Sequence, residues 1–129
     1  MTQEDKDLLL KDLCARLPYG VKMNHIADEE ICPLTLVGIA KDMITLQGGG
    51  GYACTCVEDY TPYLFPLSSM TEEQKREFDM SMDMGYASAY NAEINWANRM
   101  IDFFHKNHLD YRGLIERGLA IDATNKNIY

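Results

Sequence analysis

The chain has 129 residues, 47 % of them hydrophobic and 25 % charged, which supplies one core and leaves little room for a second. Twelve Lys and Arg face 20 Asp and Glu, and with a net charge of −8 and no local basic cluster no nucleic-acid partner is expected. The longest apolar runs span a few residues, against roughly 20 for a bilayer-crossing helix, and the acidic opening Met1 to Asp7 lacks the features of a secretory signal, so a cytoplasmic protein with no membrane partner is expected.

The charge is uneven. Met1 to Met84 carries all eight excess negatives, while Gly85 to Tyr129 holds five acids and five bases, so a partner that prefers a neutral, aromatic surface points to the C-terminal third. Four cysteines, Cys14, Cys32, Cys54 and Cys56, are expected to stay as thiols.

Thr2 and Asp5 open a first helix, with Leu10, Leu13, Cys14 and Leu17 as its apolar stripe. Pro18, Tyr19 and Gly20 end it. Four β-like runs follow, Val21 to Ile26, Leu34 to Ile39, Met43 to Leu46 and Tyr52 to Val57. Asp28 to Glu30 reads as a solvated loop and Ala40 to Asp42 as a hairpin connection, so the runs form an antiparallel meander.

Thr61 to Leu67, punctuated by Pro62 and Pro66, reads as an extended crossing segment from sheet to helices. Thr71 with Gln74 makes a capping box, and Phe78 and Met82 give the second helix its buried face. Gly85 predicts a break before a third helix, with Asn91 as a cap, that runs to about Asn107. Ile94, Ala97, Ile101 and Phe104, widened by Trp96, Met100 and Phe103, make it the expected central packing helix. Asp110 caps a predicted short helix from Tyr111 to Arg117, closed by Gly118 and docked by Leu114, Ile115 and Leu119. Residues 1–121 form one expected domain and 122–129 a polar tail.

Few residues suggest chemistry. Cys54 and Cys56 share a strand face and His105 and His108 lie three apart on a helix, but the spacing is not that of a zinc knuckle, and the cysteine pair reads better as a small-residue core face. Gly48 to Gly51 precede a strand rather than a helix, which favours a mobile loop over a phosphate cradle. The three histidines, His25, His105 and His108, sit in no nucleophile motif, and Cys14 reads as a packed residue. His108, Tyr111 and Arg112 are the most suggestive cluster, an aromatic and a guanidinium that could hold a carboxylate or a partner peptide. Their use in pinning the last helix is the stronger reading. No catalytic residue, cofactor or metal is assigned.

Three stretches, Leu8 to Lys22 (LLLKDLCARLPYGVK), Pro62 to Lys75 (PYLFPLSSMTEEQK) and Asp110 to Ile121 (DYRGLIERGLAI), resemble a family of small proteins of Bacteroides-type gut bacteria, often met in prophage-like or mobile regions. The resemblance spans nearly the whole chain. It implies a bacterial cytoplasmic setting and carries no assigned activity or site residues.

The sequence thus predicts an α+β domain with an N-terminal helix, an antiparallel sheet of three to five strands and C-terminal helices on one sheet face. The leading functional expectation is a non-enzymatic accessory module that binds another protein or itself. A small enzyme or ligand-binding protein using His108, Tyr111 and Arg112 is the first alternative. An acidic nucleic-acid mimic that occupies the groove of a DNA-binding protein is the second.

Overall fold

The computed structural model describes residues 1–27, 32–82 and 92–129. The predicted loop at Asp28 to Glu30, the break at Gly85 and the cap at Asn91 lie outside them.

Helix α1 (Gln3–Arg16) begins where the sequence places it, because the Thr2 hydroxyl accepts from the Asp5 N–H at 3.1 Å. Gly20, with φ +68°, ends the turn that follows, a conformation that costs glycine nothing. The buried side of α1 differs from the predicted stripe: Leu9, Asp12, Leu13 and Arg16 point inward and Cys14 is exposed. Asp12 and Arg16 were not counted toward a buried face because they are charged, and their mutual neutralisation is what lets that arc turn inward.

The strands are β1 (Lys22–His25), β2 (Leu34–Ala40), β3 (Met43–Gly48), β4 (Gly51–Cys56), β5 (Tyr60–Pro66), β6 (Leu109–Asp110) and β7 (Ile121–Asp122). They make one sheet in the order β4, β3, β2, β1, β5, β6, with β7 also paired to β5. The seven strands among the described residues exceed the expected three to five, and the sheet is mixed. Pairs from β4 through β5 are antiparallel, whereas β6 and β7 run parallel to β5.

The gain in strands has a definite source. Thr61 to Leu67, read as a crossing segment, is largely strand β5. Ile26 N donates to Asp59 O, which makes His25 and Tyr60 a non-hydrogen-bonded pair and turns the nitrogen of Pro62 away from β1. The missing N–H therefore costs the ladder with β1 nothing.

The tight turns obey local chemistry. Gly49 and Gly50, with φ +58° and +83°, make the two-residue hairpin loop between β3 and β4, the φ signs of a type I′ turn. What read as a mobile four-glycine loop is a closed hairpin in which Gly48 and Gly51 are already paired strand residues.

Helix α2 (Glu72–Met82) carries the predicted capping box in both directions, with Gln74 N to Thr71 Oγ1 at 3.1 Å and Thr71 N to Gln74 Oε1 at 2.9 Å. Helix α3 (Ala92–Lys106) is not the central packing helix: Trp96 and Ile101 are exposed, and Phe103 and Phe104 instead gather around Phe78 of α2. The core is built by α1 through Leu9 and Leu13, by the sheet through Met23, Leu36, Ile44, Leu46 and Leu64, and by the segment after β6 through Leu114, Leu119 and Ala120.

That segment is not the predicted short helix. Asp110 does cap it, its carboxylate accepting from the N–H groups of Arg112, Leu114 and Ile115, but Gly113 at φ +75° interrupts the helical path and leaves a series of turns. Gly118 takes the left-handed conformation expected of it, φ +74°. The polar run 122–129 returns to the sheet: Ala123 is buried, and its N–H donates to Leu64 O at 2.8 Å.

Candidate functional site

Arg16 is the largest fully buried side chain among the described residues and organises the polar interior. Its Nε donates to Asp12 Oδ2 at 2.7 Å and its Nη2 to the carbonyl of Leu109 at 2.6 Å, so α1 is tied directly to β6. Nη1 is buried without a hydrogen-bond partner among the described residues. The second oxygen of Asp12 accepts from Arg112 Nε at 3.1 Å. One carboxylate thereby joins two guanidiniums, and both cations lie near the Tyr111 ring, Arg16 at 5.4 Å and Arg112 at 4.9 Å from its centroid.

Tyr111 completes the cluster. Its hydroxyl lies 2.8 Å from His105 Nε2, and its ring stacks on Phe104 at 5.3 Å. Burial, then the charge of Arg16, holds the His105 imidazole below its ordinary pKa and favours the neutral ring.

Of the three residues singled out in the sequence, the structure brings Tyr111 and Arg112 together and gives His108 a different neighbour. The His108 ring stacks on Tyr129 with centroids 3.7 Å apart, and its Nδ1 is buried without a hydrogen-bond partner among the described residues. Burial, followed by the charges of Arg16 and Lys22, lowers its pKa to about 4. Tyr129 earns its place at the ladder's end: its hydroxyl donates to Tyr63 O at 2.7 Å and accepts from Lys22 N at 2.9 Å, bridging β1 and β5 where their direct pairing stops. Burial pushes the phenol pKa upward, so it stays protonated and able to donate.

Tyr111 also lines a hollow of about 380 Å³ with Pro66, Leu67, Asp110, Gly113 and Glu116, among others, but His108 and Arg112 do not. Among the described residues no three His, Cys, Asp or Glu side chains converge on a metal position. The cysteines and histidines do not meet: His105 joins the Tyr111 cluster and His108 stacks on Tyr129, whereas Cys54 and Cys56 are exposed on β4, correcting the reading of that pair as a core face.

The sequence missed Asp12 and Arg16. Their i, i+4 spacing on the arc of Leu9 and Leu13 was the available signal.

A second feature lies at the far end of the sheet. Val57 N donates to Asp42 O, so Met43 and Cys56 form a non-hydrogen-bonded pair and, alternating along the ladder, Tyr52, Cys54 and Cys56 turn their N–H and C=O groups away from β3. Among the described residues no strand pairs with that edge. Residues 43–57 contain no charged side chain in a chain of net charge −8. Tyr52 is 72 % exposed, and Ala53, Cys54 and Cys56 are exposed beside it.

No helix among the described residues is long and apolar enough to cross a membrane. Comparison with known proteins found no matching family model, curated protein or solved structure. The structure itself defines an α+β domain on a mixed sheet.

Proposed function

We propose that this chain is a non-enzymatic protein-interaction module that docks an extended segment of a protein partner along the open edge of β4. The observation that carries the reading is the edge at Tyr52, Cys54 and Cys56, which no strand among the described residues pairs, within an uncharged hairpin. Edge strands are ordinarily protected by lysine, proline, a bulge or a covering element. Residues 51–56 contain neither lysine nor proline and pair with β3 in unbroken register. Strand addition supplies backbone hydrogen bonds for affinity and alternate side chains for selection.

The test is a native-lysate capture with wild type and Cys54→Lys, which places a charge on the edge without touching the core. A stoichiometric partner kept by wild type and lost by the variant supports the reading. Equal retention overturns it, as does well-folded protein whose β4 edge takes up neither a lysate partner nor a second copy.

A second reading, ligand binding at Tyr111 without His108 or Arg112, is favoured by one observation, the Tyr111-lined hollow. It requires a ligand whose affinity falls on Tyr111→Phe or Tyr111→Ala with the fold intact.

A further inference from the structure

Resting on the edge-docking reading, the geometry points to a specific occupant: we propose that β4 pairs with β4 of a second copy, antiparallel about a two-fold axis at Cys54. The outward backbone groups belong to Tyr52, Cys54 and Cys56, a set symmetric about its middle member. Two copies related by a two-fold axis therefore match every open group: Cys54 faces its own counterpart, and Tyr52 faces Cys56 on each side. One sheet runs through both copies.

Electrostatics are compatible with the same contact. A chain of net charge −8 carries a general repulsion between copies, and close approach is easiest where no like charges oppose each other. Residues 43–57 offer such a stretch, and Glu58 falls opposite Gly50 of the second strand in this register rather than opposite another acid. The Tyr52 ring lies beside Cys56 of the second strand and gains an apolar neighbour. The pairing element is six residues long, so the dimer is a weak, concentration-dependent one.

Sedimentation equilibrium of the purified full chain across roughly a hundredfold concentration range should show the mass rising toward two copies. Cys54→Lys, which sets two like charges face to face on the axis, should remain a monomer throughout. Gln47→Lys, which adds the same charge one strand inward, should still associate. In a chain bearing Cys14→Ser, Cys32→Ser and Cys56→Ser, a short bis-maleimide should join two copies through Cys54. A chain that keeps only Cys14 should not be joined.

A monomer at every concentration, or association unaffected by Cys54→Lys, overturns self-pairing. If the monomer nevertheless captures a lysate partner that Cys54→Lys loses, the docking edge stands and only its occupant changes. If both fail, both proposals fall.

Discussion

Arg112 Nε lies 3.1 Å from Asp12 Oδ1, an ion pair across 100 positions of the chain. The same carboxylate holds Arg16, and Asp12 and Arg16 are fully buried. Removing Asp12 leaves the buried Arg16 cation without its counter-charge, so Asp12→Ala should cost about 3–5 kcal/mol in urea unfolding. Replacing the pair with apolar side chains, Asp12→Leu with Arg16→Met, should recover much of that loss, because two desolvated charges leave together. An additive result for the double variant would show that the two residues do not act as a unit.

Tyr129→Phe tests the bridge at the end of β1. It removes the hydroxyl that satisfies Lys22 N and Tyr63 O and leaves the ring on His108. The expected cost is about 0.5–1.5 kcal/mol, the net worth of an intramolecular hydrogen bond that is not fully buried. Faster amide exchange at Lys22 should accompany it.

Acid should loosen the fold before ordinary carboxylates titrate. An unfolded histidine takes up a proton near pH 6.5, whereas folded His108 stays neutral down to about 4, so across that interval the unfolded state binds more protons. The His108 contribution is full above pH 6.5 and is lost as pH falls toward 4, on the order of 2 kcal/mol, and His105 is shifted in the same direction. Thermal melts from pH 7 to 4 should show that slope flattened in His108→Asn. Asparagine tolerates the left-handed backbone of this position, φ +55°, and does not titrate.

The hairpin turn between β3 and β4 should discriminate its two central residues by size. Gly49→Asn keeps an Asn-Gly pair suited to a type I′ turn and should change stability by less than about 0.5 kcal/mol. Gly50→Val places a β-branched side chain at φ +83° and should cost roughly 1–2 kcal/mol. Chemical denaturation of the two variants side by side checks the contrast.

Local chemistry made part of this architecture readable in advance. The Thr2 cap, the Thr71 and Gln74 box, the left-handed Gly118 and the four strand runs each depend on residues close in sequence. The pairings of β5 with β6 and β7 depend on partners more than 40 positions away, and two-residue strands have no period to recognise. The candidate cluster was half legible for the same reason. Tyr111 and Arg112 are adjacent in sequence, but Asp12 and Arg16 reach them only through the tertiary fold, and apolar spacing favoured a different arc of α1. His108 was grouped with Tyr111 by proximity in sequence, whereas its stacking partner comes from the chain's last residue.

The late arrival of β6 and β7 shapes how the protein is made. A ribosome that has delivered residues through Met82 has released β5, but not the strands of 109–122 that complete its pairing, nor the Leu109 carbonyl that receives Arg16. Leu114, Leu119 and Ala120 are likewise still missing from the core. Closure of this core therefore waits for residues 109–123, the contacts of highest sequence separation and the slowest to form.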